Sequence, residues 1–390
     1  MTEPVETYNF YPALQRNVTP TASGSEVVSY TSDLGNGGPI LTLVHGYPQS
    51  SLIWRHLVPL LLPKVSLFIP ELPGYGISTP ISAGTGDHTK RAVGHALLDA
   101  LAQVFDTNSS SSSPSSSSSL PRQVILAGHD RGARICHRLA VDATSKTSSP
   151  DSSSSLPDDE TNSKSSSFFF SHHNLTITGL ILLDILPTKS QWDFFSVPFL
   201  SQNYFHWPLL ANVELAVPMI TAFGIDKWVR GGHLRLVGSA SDSKARIMSD
   251  EAVDIHVKLF ERGKETIKWT CEDYKAGAQR EVDEQVEDLR RGRRVEVDTL
   301  VMYSREKLGR GGGVDVEGVW RGGVNCREES EGEGEGEEKK KKKKKGDQWV
   351  GDGVELEVVG VEDGRGHFLP EEAYDVVGER VVRFLERFGL

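Results

Sequence analysis

Apolar residues along the chain fall into two alternating rhythms. Short runs at 26–30, 40–44, 65–69, 124–127, 175–185, 298–303 and 354–361 have strand length and are rich in branched residues. Between them, 54–62, 88–105, the stretch after Asp130 and the C-terminal stretch to Phe388 place apolar residues three and four apart, which predicts amphipathic helices. Strand and helix in repeated succession predict an α/β fold, a mostly parallel central sheet flanked by helices. The alternation stops between 189 and 279, where helical spacing continues and aromatic residues accumulate, among them Trp192, Phe194, Phe195 and Trp228. This stretch is expected to be a helical cap inserted into the core, giving core residues 1–188, cap 189–279 and core 280–390.

Three segments follow neither rhythm. Residues 108–119 and 144–167 are serine-rich, and 328–345 is a Glu/Gly run followed by lysines. None holds enough apolar surface to offset its ordering entropy, so each is expected to be a disordered loop inserted at the surface. The lysine run has the composition of a nuclear-localisation signal, but the adjacent glutamates largely neutralise it. The formal net charge of −11 argues against nucleic acid as the main partner. Cys136, Cys271 and Cys326 cannot all pair and lack metal-ligand spacing, which fits a reducing compartment and no metal. The acidic N-terminus lacks the apolar region of a signal peptide, and no run has membrane-spanning length. The expectation is a cytoplasmic protein whose partner is a small-molecule substrate, not nucleic acid or membrane; a homodimer stays open.

The most informative stretch is 123–142. The run ending at Ala127 leads into Gly128-His129-Asp130-Arg131-Gly132 and then into helical spacing. Strand, G-x-nucleophile-x-G and helix resemble the nucleophile elbow of α/β-hydrolases, a turn so tight that glycines are needed on both sides. The nucleophile position holds Asp130. A carboxylate attacking an acyl carbon would give an anhydride, whereas attack on saturated carbon gives an ester that water can cleave. The elbow therefore points to carbon–halogen or epoxide opening.

Other positions extend this reading. His45-Gly46-Tyr47 follows the second strand, where the backbone N–H of Tyr47, with that of Arg131, could form an oxyanion hole; the His45 side chain is read as a core histidine holding the loop. Asp184 leaves the carboxyl end of its strand and could orient a base, with Asp315 as the competitor. His367, after the last strand and before the final helix, is the candidate base that activates water. Arg131 and Arg134 share one face of the first helical turn, where the macrodipole disfavours cations by about 0.3–1 kcal/mol each. Either they clamp a ligand carboxylate or they pair with acids of the fold such as Glu71.

Gly128 to Arg134 is similar to the GHDRGAR motif of fluoroacetate (haloacetate) dehalogenases of the α/β-hydrolase superfamily, and 45–49 resembles that family's HGFPQ. Epoxide hydrolases of the superfamily commonly have Trp at the position of Arg131. Tyr204 to Ala211 resembles the family's HW segment, Cys271 to Gly277 its CEDYRAG segment, and 184–188 its LDI-PT. Glu71 departs from the Asp of many relatives. The resemblance implies Asp130 as nucleophile, Asp184 and His367 as its partners, Arg131 and Arg134 on the substrate carboxylate, and His206, Trp207 and Tyr274 as the halide site. Imidazole, indole and phenol are neutral donors suited to a leaving fluoride in a dry pocket. No cofactor is expected. The alternatives are an epoxide hydrolase with the same nucleophile and base, with Tyr204 and Tyr274 as proton donors, and a ligand-binding protein that has lost turnover.

Overall fold

The computed structural model describes residues 7–82, 88–107, 120–144, 169–310, 313–322 and 347–390. The expected inserts at 108–119, 144–167 and 328–345 lie outside the described residues, apart from Thr144. Eight strands form one sheet in the order β1-β2-β4-β3-β5-β6-β7-β8. They are β1 (Gln15–Pro20), β2 (Glu26–Ser32), β3 (Ile40–Val44), β4 (Ser66–Pro70), β5 (Arg122–His129), β6 (Leu175–Leu183), β7 (Asp298–Ser304) and β8 (Leu356–Val361). Pairing is antiparallel from β1 to β2 and from β2 to β4, and parallel from β4 through β8.

The inner parallel strands are apolar nearly throughout because both faces are covered, while the edge strand β8 is only partly buried. On one face Val44, Leu126 and Leu182 join a core with Leu97, Ile135 and Leu139 from the helices Lys90–Val104 and Arg131–Ala143. On the other, Leu43, Ile125 and Ile181 pack with Trp54, Val377 and Phe384. The last two belong to the C-terminal helix Tyr374–Leu385.

Local departures from the sequence expectations have simple causes. Strand β1 was not anticipated: of QRNVTP only Val18 is strongly apolar, and it is 51% exposed, so the strand exists through backbone pairing at the sheet edge. The helix expected at 54–62 is instead a 3-10 turn, Ser51–Trp54, followed by the short helix Val58–Leu61. Pro59 at the start of that helix lacks the N–H needed to continue the preceding turn. Between Thr188 and Ala278 the chain is helical, including His206–Ala211, Val213–Phe223, Ile225–Leu236, Ala252–Phe260 and Lys264–Ala278. No described helix is long and apolar enough to cross a membrane.

Candidate active site

Asp130 stands where β5 turns into the helix Arg131–Ala143, with φ 49° and ψ −116°. A residue other than glycine held there carries about 1–3 kcal/mol of backbone strain, a cost tolerated where the surroundings fix the turn. The flanking glycines follow from contact distances. A Cβ at Gly128 would lie 2.5 Å from the backbone of Ala133, and one at Gly132 would lie 2.2 Å from the carbonyl oxygen of Val44. Gly46 is equally constrained, since a Cβ there would come within 2.6 Å of the Asp130 side chain.

The Tyr47 N–H donates to Asp130 Oδ2 at 2.9 Å. The N–H of Arg131 opens the helix, where no intrahelical carbonyl can accept it. Asp130 Oδ1 faces His367 Nε2 at 4.0 Å, too far for a direct hydrogen bond. Burial pushes the Asp130 pKa up, but the charges of His367 and Arg131 and the Tyr47 N–H outweigh it, so the carboxyl stays below its ordinary value.

His367 follows β8 and donates from Nδ1 to Asp184 Oδ2 at 2.5 Å. The other Asp184 oxygen accepts from the Ser304 N–H at 2.7 Å. Burial pushes the His367 pKa down, yet the hydrogen bond and charge of Asp184, with Asp130 and Glu372, raise it above its ordinary value. Asp315 is elsewhere, capping the short helix Val316–Trp320 through the Gly318 N–H. The His45 side chain is fully buried: its Nε2 accepts from the Leu72 N–H at 3.0 Å, and its Nδ1 faces the carbonyl of Gly46.

Asp130, Asp184 and His367 line a cavity of about 220 Å³ with Arg134, His206, Trp207 and Tyr274. Tyr47, Tyr204, Trp228 and Arg235 line it as well. Arg131 is completely buried beside the cavity rather than in its lining. Its Nε donates to Asp273 Oδ2 at 2.6 Å and its Nη2 to the Asp273 carbonyl, while its guanidinium lies 4.1 Å from the centre of the Tyr274 ring. Nη1 of Arg131 has no partner among the described residues. The charge of Asp273, which also binds Lys90 Nζ, outweighs the burial of Arg131 and raises its pKa.

Arg134 differs. It donates to the Leu186 carbonyl at 2.7 Å, and no carboxylate of a described residue lies within ion-pair distance. Its Nε is buried without a partner. Burial, then the charge of Arg131, push its pKa down to about 10. A buried cation lacking a counter-ion is costly, and an anion entering the cavity would relieve that cost. Glu71 pairs with neither arginine; it accepts from Ser51 N–H at 3.0 Å and faces His45 Nε2.

The three neutral donors converge from two helices, His206 and Trp207 from one and Tyr274 from another. The ring centres of His206 and Trp207 lie 6.0 and 5.6 Å from that of Tyr274. Neither the Trp207 indole N–H nor the Tyr274 hydroxyl has a hydrogen-bond partner among the described residues.

Sequence reasoning missed the groups that hold these residues. Glu372 accepts backbone N–H bonds from Gly366 at 2.8 Å, Gly238 at 2.9 Å and Phe368 at 3.1 Å, which fixes the loop carrying His367. His129 Nε2 donates to the His367 carbonyl at 2.8 Å, and burial followed by the His367 charge pushes its pKa down to about 3. It is a neutral spacer. Asp273 sits inside the quoted CEDYKAG segment, but its pairing with Arg131 spans 142 residues and has no local signature. Among the described residues no group of His, Cys, Asp and Glu side chains has the arrangement of a metal site.

A mostly parallel sheet with a carboxylate at a strained strand–helix turn, an Asp–His pair from loops after two strands that flank a third, and a helical roof defines a class of enzyme. The chain belongs to the Alpha/beta hydrolase family, which matches residues 43–298, and it is a hydrolase. Among curated proteins it is similar to the fluoroacetate dehalogenase of Burkholderia sp, 25% identical over 69% of this chain and 71% of that protein. It also resembles the haloalkane dehalogenase of Mesorhizobium japonicum, 31% identical over 28% of this chain and 29% of that one. Among solved structures, a protein of Pseudomonas aeruginosa provisionally assigned as an epoxide hydrolase superposes with a TM-score of 0.68 at 22% identity, covering 98% of each chain. That likeness establishes the fold.

Proposed function

We propose that this hydrolase removes the halogen from a short 2-halo acid through an ester on Asp130. The observation that carries the reading is Arg134, a buried cation without a carboxylate partner, in the lining of the same cavity as Asp130 and His367. Its guanidinium, presented to that cavity, suits the carboxylate of the substrate. In this reading the halogen-bearing carbon lies over Asp130 and the halide leaves toward His206, Trp207 and Tyr274.

In the first step Asp130 Oδ1 forms a bond to the carbon, and the carbon–halogen bond breaks with its electron pair leaving on the halide. The three neutral donors stabilise the departing ion in a water-poor pocket. In the second, water attacks Cγ of Asp130 while His367 takes its proton and Asp184 stabilises the imidazolium. The Tyr47 N–H already holds Oδ2, the oxygen that carries the developing charge. Collapse breaks the Cγ–Oδ1 bond, the departing oxygen takes the proton from His367 to release the 2-hydroxy acid, and the new Asp130 carboxyl loses its proton to solvent. No cofactor takes part.

Tyr204 and Tyr274 both line the cavity, which keeps epoxide opening as the competing chemistry. A parallel assay with fluoroacetate, chloroacetate and styrene oxide separates them. Halide release with little diol supports the proposal; diol without halide supports the rival.

A further inference from the structure

Arg235, in the helix Ile225–Leu236, lines the cavity and has no assigned part in the chemistry above. Its Nη2 donates to Nδ1 of His206 at 3.1 Å, and its Nη1 donates to the Asn203 carbonyl. No carboxylate of a described residue pairs with it. A guanidinium has donors only, whereas a neutral imidazole carries one donor and one acceptor. Nδ1 must therefore accept, and the single ring proton stays on Nε2. The remaining ring nitrogen has no partner among the described residues, and the ring lines the cavity. Burial, then the charge of Arg235, also hold His206 well below the ordinary histidine pKa, so the ring stays neutral.

We infer that Arg235 is a positioning residue that fixes His206 as a hydrogen-bond donor toward the cavity. Without that contact the ring can place its proton on Nδ1 and turn a lone pair toward the ligand, which repels an anion. The consequence for catalysis rests on the reading of His206 as a halide donor; the tautomer does not. Better leaving groups need less help from the donor, so the loss falls most heavily on fluoride.

The test uses the full chain with ¹⁵N-labelled histidine, as wild type, Arg235→Lys and Arg235→Met, with His206→Gln to assign the ring signals. Lysine, also a donor only, keeps the wild-type Nε2–H pattern. Methionine gives mixed tautomers, and kcat on fluoroacetate falls about tenfold more than on bromoacetate while KM changes little. A retained Nε2–H pattern in the methionine variant overturns the inference. So does an equal rise in KM on all haloacids with an unchanged halogen ratio, which marks Arg235 as a substrate-capture group. If wild type releases no halide from any haloacid, the proposed function fails and the ring spectra alone decide the inference.

Discussion

The sheet side and the cap side of the cavity are built on opposite terms. On the sheet side, both oxygens of Asp184, Nδ1 of His367 and Oδ2 of Asp130 have protein partners, and Glu372 ties the His367 loop at three backbone N–H groups. On the cap side, the Trp207 indole and the Tyr274 hydroxyl have none among the described residues, and the Arg134 guanidinium, which reaches the Trp207 ring from the elbow helix, has no carboxylate partner there. Buried polar groups normally find partners, so an open set gathered around one cavity is a signature of a ligand. If the proposed reaction holds, the sheet side would set its chemistry and the cap side would select the molecule that undergoes it.

Substitutions on the two sides should therefore fail differently. The largest loss is expected for Asp130→Asn, with halide release falling by about 10⁴-fold or more while thermal stability holds or rises as the buried charge is removed. His367→Asn should cost about 10⁴-fold in steady-state turnover and, unlike Asp130→Asn, trap an adduct on Asp130 visible by intact mass. Among the groups open to a ligand, Arg134→Met should raise KM by about 100-fold with a smaller change in kcat, because it removes the anion's buried partner. Trp207→Phe should lower kcat on fluoroacetate by about tenfold and leave bromoacetate nearly untouched, since one neutral donor is lost. A kcat loss for Arg134→Met with unchanged KM would erase the distinction between the two sides.

The smallest effect is in pH dependence. His367 must be neutral to accept the proton from water, and its pKa is raised by Asp184. Activity should therefore fall as pH drops through a value above that of free histidine, while Asp130, held below its ordinary value, remains ionised throughout that range. In Asp184→Asn the residual activity should show this acid limb at lower pH, because the group that raised the pKa is gone; an unmoved limb would remove Asp184 from the role.

What could be seen in the sequence divides along the same line. The elbow is legible because its requirements are local: a Cβ at Gly128 or Gly132 collides with backbone a few residues away or at the end of the neighbouring strand. Asp184 and His367 are legible because strand ends are. The choice between clamp and ion pair for the two arginines was not, because it depends on Asp273, 142 residues from Arg131. In the structure Arg131 pairs with Asp273, whereas Arg134 has no carboxylate partner among the described residues. His129 stands inside the motif, but its contact with the His367 carbonyl 238 residues away has no local mark, and neither has the bond from Gly238 to Glu372. Strand β1 escaped notice because an edge strand needs backbone partners more than apolar side chains.

The central claim is that the Asp130 carboxylate becomes an ester and is freed by water at its own carbonyl carbon. Several turnovers on a haloacid in ¹⁸O-enriched water, followed by mass spectrometry of the peptide containing Asp130, test it directly. ¹⁸O should appear in that side chain. Turnover that leaves the peptide unlabelled, with ¹⁸O appearing at once in the hydroxyl of the product, would contradict it.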